Sequence, residues 1–154
     1  MKKICILCLS DIHFVPNQHE GFGLVARQFF KDLEKQMSQY DKENVYCIIA
    51  GDLVNIGGKF ENYKRFYEQF YSNLTKLIKP DNIICTPGNH DLDREVLSDK
   101  KWKKKHNELI QSNADEAAYN QMLMDESESV ILKKFYNYDT FCRERGQACL
   151  HYAS

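Results

Sequence analysis

The chain has 154 residues, of which 43% are hydrophobic and 28% charged, enough for one domain with a hydrophobic core but short for two. The 21 lysines and arginines against 22 aspartates and glutamates give a formal net charge of -1, which excludes a chain-wide field that attracts nucleic acid or acidic membranes. No apolar run approaches the roughly 18 residues of a membrane span. The composition therefore predicts a soluble globular protein.

The first apolar run covers residues 4–9 and follows two lysines, an arrangement superficially like a signal peptide. The run stops after six residues, at Ser10-Asp11, and no small-residue cleavage site follows it. We therefore interpret this run as a β-strand and predict a cytoplasmic protein.

Four of the six cysteines lie inside apolar runs, at positions 5, 8, 47 and 85. Free cysteine in such runs behaves as a small hydrophobic residue, so we predict buried thiols rather than disulfides. Cys5 and Cys8 have the spacing of a redox or zinc pair, but residues three apart on a strand lie on opposite faces. A site at this pair is therefore excluded.

Three apolar runs, at residues 4–9, 45–50 and 83–85, each end at a small polar cluster. Runs of this kind are typical of strands covered on both faces. Apolar residues at helical spacing lie between them, in the sets Val25, Phe29, Leu33, Met37 and Phe60, Tyr63, Tyr67, Phe70, Leu74, Leu77. Strands alternating with amphipathic helices predict parallel strands joined by right-handed crossovers, which is an α/β fold.

The sequence changes character after Asp91, because residues 98–129 are rich in charge and amide and no fourth strand-like run follows. Helices are predicted from about Ala114 to Met124 and from about Ser127 to Arg145, with Gly146 as the stop. The second helix carries an apolar stripe of Ile131, Phe135, Tyr138 and Cys142. We predict a single domain over 1–154, with an α/β core in 1–97 and a mainly helical segment in 98–154 that caps the site or covers the sheet.

The predicted strands end at Asp11-Ile12-His13, Gly51-Asp52 and Gly88-Asn89-His90-Asp91. Ligands of parallel sheets bind beyond the carboxyl ends of the strands, so these clusters should meet at one edge. Asp11 and His13 are two residues apart at the end of an extended segment, so their side chains should share a face and could hold one cation. Asp52 could bridge to a second cation about 3.5–4 Å away, which would be bound by Asn89. A single aspartate after a strand is often only a cap or turn residue, but three such motifs in this order favour a metal site.

These motifs resemble the first three motifs of the calcineurin-like metallophosphoesterases, over residues 3 to about 94. The resemblance implies an α/β/β/α sandwich of two mixed sheets with helices outside, of which this chain would form the N-terminal part. It also implies two transition ions, commonly manganese, iron or zinc, and hydrolysis of phosphomonoesters or phosphodiesters. By this resemblance Asp11 and His13 hold the first metal, Asp52 bridges, Asn89 holds the second, and His90 acts near the leaving group.

The expected reaction is attack on phosphorus by a metal-bound hydroxide, with the ions also holding the phosphate oxygens. His90 would protonate or stabilise the departing oxygen. Asp91 or Asp93 would orient His90, although either residue is also typical of a turn or a helix cap. We therefore take His90 and Asp91 as the predicted catalytic residues.

The chain departs from the family in its histidines. Members complete the site with three more, one alone and two in a Gly-His-x-His motif. The histidines here are at 13, 19, 90, 106 and 151, and none follows a glycine. His151 could be the lone one, whereas His106 is more simply a surface residue. Because the first site keeps three ligands and the second only Asp52 and Asn89, one metal is expected to bind much better than two.

An incomplete fold would leave one face and one edge of the sheet uncovered, so we expect a second copy, a partner, the missing C-terminal half or poor solubility. The alternative to an enzyme is an inactive fragment or a partner-binding module that keeps the metal motifs. Residues 100–105 hold five lysines and Trp102, which favours a nucleic-acid substrate and a nuclease-like phosphodiesterase over a phosphatase, although lysine runs are also typical of solvated surfaces.

Overall fold

The computed structural model describes residues 3–16, 21–97 and 133–145, together with positions 100, 103, 104, 107 and 117. Its sheet consists of β1 (Cys5–Leu9), β2 (Val45–Ala50) and β3 (Ile83–Thr86), all parallel and in the order β1-β2-β3. Each strand coincides with one predicted apolar run, and the α/β fold is confirmed. Of the two sheets that the family resemblance implies, these residues form one.

Helices connect the strands as the apolar spacing predicts. Helix α1 (Gly21–Met37) joins β1 to β2. Between β2 and β3, α2 (Phe60–Phe66) continues through a π-helical turn (Tyr67–Tyr71) into α3 (Ser72–Leu77). Short 3-10 turns, Lys42–Asn44 and Pro80–Asn82, lead directly into β2 and β3. Among the described residues, no helix combines the length and hydropathy needed to cross a lipid bilayer.

Two helices whose bounds the structure describes follow β3. These are α4 (Arg94–Leu97) and α5 (Tyr136–Glu144), the latter entered through a 3-10 turn at Lys133–Phe135. Helix α5 lies within the helix predicted to end at Arg145. The helix predicted at Ala114 to Met124 lies outside the described residues except at Ala117, and so do Ile131 and Gly146.

The prediction that the strands are covered on both faces is wrong for this part of the molecule. In β2, Val45, Cys47 and Ile49 are buried, whereas Tyr46 keeps 38% of its surface exposed. Two right-handed crossovers that step in the same direction across a sheet place their helices on the same face. The opposite face therefore exposes apolar side chains, namely Ile4, Ile6, Tyr46 and Ile84.

The core lies between the sheet and the helical layer. Aromatic rings dominate it, with Phe66 stacked on Phe70 at a centroid distance of 5.5 Å and tilted against Phe14 at 5.9 Å. In α1 the buried residues are Ala26, Leu33 and Met37. Val25, predicted to belong to this stripe, is exposed instead, because its position on the helix is about 100° away from that of Ala26.

Helix α5 packs on α2 through aromatic side chains. The ring of Phe141 lies 5.5 Å from that of Tyr63 and 5.8 Å from that of Phe66. Tyr138 and Cys142 of the predicted stripe are buried, and Phe141, which the prediction missed, is buried as well. The described part of the C-terminal segment therefore covers α2.

Candidate metal centre

The loops that leave β1 and β2 continue side by side beyond the ends of the strands. The backbone N–H of Asp11 donates to the carbonyl of Gly51 at 3.3 Å, and that of His13 donates to the carbonyl of Asp52 at 2.9 Å. Further along, Phe14 and Val54 form an isolated parallel bridge. The pairing that builds the sheet thus also places Asp11 and His13 beside Asp52.

The backbone at these three residues is unusual. Asp11, His13 and Asp52 have φ angles of 52°, 45° and 51°, in the left-handed region that side chains other than glycine rarely occupy. Each such residue costs about 1–3 kcal/mol, and such residues cluster at functional sites. The prediction that Asp11 and His13 share a face of an extended segment is therefore wrong in its geometry, although the two side chains do meet.

The side chains of these residues form a compact polar cluster. The Nε2 atom of His13 lies 3.6 Å from Oδ1 of Asp11 and 3.6 Å from Oδ2 of Asp52. The exposed fraction of the side chain is 9% for Asp52, 36% for His13 and 68% for Asp11. Asp52 thus forms the floor of the cluster, and Asp11 forms its solvent-facing side.

His90 joins the cluster from the loop after β3. Its backbone N–H donates to Oδ1 of Asp52 at 2.8 Å, and its ring meets that of His13 edge to face at 4.4 Å. Among the described residues, His13, Asp52 and His90 form a group in which each offers one ligand atom, all within 4.8 Å of one another. Two imidazoles and a carboxylate are ligands that transition ions accept, so the donor set fits a divalent cation.

The ring orientation of His90 is fixed by Asn55. Nδ1 of His90 lies 2.9 Å from the carbonyl oxygen of Asn55. A carbonyl oxygen only accepts hydrogen bonds, so Nδ1 carries the hydrogen and Nε2 is left for chemistry. In the neutral ring Nε2 can bind a cation or accept a proton, and in the charged ring it can donate one.

Asp91 supports the site from below. It is fully buried, and its Oδ2 accepts the backbone N–H groups of Leu53 at 3.2 Å and Gly88 at 2.9 Å. Its Oδ1 accepts the N–H of Val54 at 3.3 Å and the hydroxyl of Tyr63 at 3.1 Å. Burial raises the pKa of Asp91, and these hydrogen bonds oppose that rise. Asp91 therefore ties the loops after β2 and β3 to α2, and its predicted catalytic role stays a prediction.

Two glycines let these loops touch. Gly51 has a φ of 85°, and a Cβ there would lie 3.1 Å from the Cα of Gly88. A Cβ on Gly88 would collide with the carboxylate of Asp52 and would lie 2.5 Å from its backbone nitrogen. Gly88 thus gives the Asp52 carboxylate its place beside the chain.

The structure brings together most of the predicted site. Asp11, His13 and Asp52 lie in contact, and Asn89 is exposed in the loop between Gly88 and His90. The sequence-based assignment did not place His90 in the group of side chains that could hold a metal. The Gly-Asn-His-Asp motif already contained this imidazole. Because an imidazole is a better donor to a transition metal than the amide oxygen of Asn89, the motif could have indicated His90 as a member of the group. His106 and His151 lie outside the described residues.

Comparison with known proteins extends the resemblance beyond the three motifs. A family model described as calcineurin-like phosphoesterase matches residues 5–146, which includes α5. Comparison with curated proteins and with solved structures gave no match. Since the family match spans most of the chain and contains every member of the cluster, the protein belongs to the calcineurin-like phosphoesterases, a family of metal-dependent phosphoester hydrolases.

Proposed function

We propose that this chain is a phosphoester hydrolase whose cation site is built by Asp11, His13 and Asp52, with Asn89 contributing to a weaker second position. The observation that carries the proposal is the convergence of His13, Asp52 and His90 to within 4.8 Å. The cluster lies at the carboxyl ends of parallel strands, where ligands of such sheets bind. Three residues with positive φ build its loops, and such strain is typical of functional sites.

Each residue of the cluster has a distinct task in this proposal. A bound divalent cation would polarise the phosphate oxygens and activate water near neutral pH. Asp52 holds the centre, since its Oδ1 is fixed by the N–H of His90 while its Oδ2 faces His13. Asp11 offers a carboxylate on the open side, where substrate enters. His90 presents Nε2, with its ring fixed through Nδ1, to the oxygen that departs from phosphorus.

His90 could instead act as a cation ligand, and two measurements separate these roles. As a proton donor, His90→Gln should keep manganese affinity, lose about 100-fold or more in kcat on an alkyl phosphodiester and lose little on a p-nitrophenyl ester, whose leaving group needs no proton. Isothermal titration with Mn²⁺ and steady-state kinetics on both substrates test this. Loss of manganese affinity together with equal loss on both substrates would assign His90 to the cation.

Asp52→Asn tests the centre of the site. The variant amide can still accept the N–H of His90, so the fold should persist, but the charge that holds a cation is lost. We expect about one Mn²⁺ per wild-type chain by mass spectrometry of native protein, little in the variant, and at least a 100-fold drop in hydrolysis of bis(p-nitrophenyl) phosphate. Full activity in Asp52→Asn would rule out this assignment.

A nuclease-like phosphodiesterase is the favoured member of this class. Lys100, Lys103 and Lys104 are exposed just after α4, and cationic side chains neutralise the backbone of a nucleic acid. Turnover of a single-stranded oligonucleotide, a cyclic dinucleotide and a phosphomonoester under Mn²⁺ separates nuclease, cyclic-nucleotide hydrolase and phosphatase. The alternative of an inactive partner-binding module predicts little Mn²⁺ uptake and hydrolysis of none of the three substrates.

A further inference from the structure

A cavity of about 360 Å³ opens beside the cation cluster, and His90 forms part of its wall. The described residues that line it come from two segments, 55–59 in the loop before α2 and 90–95, which runs from the loop after β3 into α4. Resting on the proposed function, we infer that this cavity receives the leaving group of the substrate and that Lys59 and Arg94 bind a second phosphate on that group. The preferred substrate is then a phosphodiester whose leaving group is a nucleoside monophosphate.

The position of the cavity indicates which part of the substrate enters it. His90 belongs both to the cluster, through its distance to His13 and Asp52, and to the cavity wall. A phosphorus atom held at the cluster would therefore have His90 as its neighbour on the side of the cavity. The oxygen that departs next to His90 therefore carries its substituent into the cavity.

The size of the cavity argues against a small leaving group. A volume of about 360 Å³ lies in the range of about 300–1,000 Å³ that is typical of small-molecule sites. A simple alcohol would leave most of this space to water. A nucleoside with a phosphate would occupy it.

The lining carries both kinds of contact that a nucleotide needs. Ile56, which is 51% exposed, and Leu92, which is half-buried, offer apolar surface to a sugar or base. Lys59 and Arg94 are exposed, and neither forms an ion pair within the part of the chain that the structure describes. Arginine and lysine side chains in this state are suited to a phosphate, which arginine can bind with two parallel hydrogen bonds.

Two acidic residues also line the cavity, and the carboxylate of one of them already accepts a backbone hydrogen bond. These residues are Asp93 and Glu95. Oδ1 of Asp93 accepts the backbone N–H of Glu95 at 2.9 Å, and a Cβ on Gly58 would lie 3.0 Å from this oxygen. The side chain of Asp93 thus stabilises the first turn of α4. Lys59 and Arg94 are side chains of the cavity that can bind an anion.

The two wall segments are held together before any ligand binds. The N–H of Gly57 donates to the carbonyl of His90 at 2.8 Å, and the side-chain amide of Asn137 donates to the carbonyl of Gly57 at 2.8 Å. The N–H of Asp93 donates to the carbonyl of Lys134 at 2.7 Å. A preformed cavity loses less conformational entropy when it binds a ligand.

Equilibrium binding to the metal-free full-length chain tests the cavity without reference to catalysis. With EDTA present, 3′-AMP or 5′-AMP should bind at least tenfold more tightly than adenosine or inorganic phosphate. Lys59→Gln and Arg94→Gln should each weaken AMP binding several-fold, and together they should abolish the preference over adenosine. Lys31→Gln, at an exposed position of α1, is the matched control and should bind AMP like the wild type. Equal affinity for AMP and adenosine, or AMP binding that survives the double change, would overturn the inference.

Kinetics under Mn²⁺ separate this inference from the proposed function. A dinucleoside monophosphate is compared with two derivatives, one with an additional phosphate at its 5′ end and one with an additional phosphate at its 3′ end. The extra phosphate on the leaving nucleoside should raise kcat/KM about tenfold in the wild type, and this ratio should fall towards one in Lys59→Gln and Arg94→Gln. Selective AMP binding without any hydrolysis would reject the proposed function and keep the cavity assignment. Hydrolysis of all three compounds at equal kcat/KM would do the reverse.

Discussion

Asp52 is positioned by its neighbours on two sides rather than by its own loop alone. One carboxylate oxygen accepts the N–H of His90, and the other lies 3.6 Å from the ring of His13. Gly88 leaves the space that this carboxylate occupies. The loop after β3 thus sets the geometry of a ligand carried by the loop after β2.

Gly88→Ala should therefore damage the cation site. Its new methyl group would collide with the Asp52 carboxylate, which must then leave its position beside His13 and His90. We expect at least a tenfold loss of Mn²⁺ affinity in isothermal titration, with the α/β far-UV circular dichroism retained. Gly23→Ala, where a side chain would meet nothing within 4 Å, is the control and should bind Mn²⁺ normally. Unchanged affinity in Gly88→Ala would show that the carboxylate is not held as described.

Asp91→Asn should lower the free energy of unfolding by about 1–3 kcal/mol, because the new NH2 group must face a buried backbone N–H that the carboxylate had accepted. Both oxygens of Asp91 accept backbone N–H groups, so either orientation of the amide leaves a mismatch. Urea unfolding followed by circular dichroism measures the change. Asp81→Asn, at an exposed position, should change stability by less than about 0.5 kcal/mol. An Asp91→Asn chain as stable as the wild type would contradict the supporting role.

For individual residues, the sequence predicted most of the side chains that form the cluster but not the position of each one within it. Asp11, His13 and Asp52 were predictable because they end parallel strands, and the carboxyl ends of such strands share one edge. The inclusion of His90 in the cluster and the burial of Asp91 depend on the conformations of the loops after β2 and β3, which hydrogen bonds between the two loops hold in place. Alternation and spacing, from which strands and helices are inferred, carry no information about such conformations.

For the strands and helices, the sequence predicted their positions along the chain but not which of their faces are buried. The three apolar runs located β1, β2 and β3, yet their continuous apolar character suggested two covered faces. The burial of alternate residues shows one covered face, which follows from two crossovers on the same side. Phe141 was missed because its burial depends on contact with Tyr63 and Phe66 of α2 rather than on spacing within α5.

Thiol labelling tests which cysteines are exposed and which are buried. Cys8 is exposed on β1, whereas Cys47, Cys85 and Cys142 are buried. Burial raises the pKa of the Cys47 thiol to about 12, so little reactive thiolate forms at neutral pH. In a Cys149→Ser background, N-ethylmaleimide followed by mass spectrometry should label Cys8 within minutes and the three buried thiols only in denaturant. Rapid labelling of Cys85 or Cys142 in the native protein would contradict this packing.

The molecule as a whole presents a sheet with an apolar open face. Ile4, Ile6 and Ile84 keep 64%, 59% and 50% of their surface exposed on that face. Apolar patches of this kind favour association. If a second copy or another partner binds the sheet, as the sequence predicts, we expect it to contact this apolar face.

The double change Ile6→Thr and Ile84→Thr should reduce self-association measured by sedimentation velocity at several protein concentrations. Threonine keeps the β-branched shape that strands favour, so the sheet should persist. Val25→Thr, which alters a side chain 69% exposed on α1, is the matched control and should leave the sedimentation profile unchanged. Equal association in wild type and double variant would remove the sheet face as the contact surface.

The hydrogen bonds from the α5 region to the cavity walls connect distant parts of the chain. Asn137 and Lys134 each bond to a loop that also shapes the cavity. A ligand that binds only the folded walls stabilises everything that closes with them. Occupation of the cavity should therefore slow amide hydrogen exchange in residues 136–144, some forty positions along the chain from the second wall segment, so that α5 reports on what the site holds.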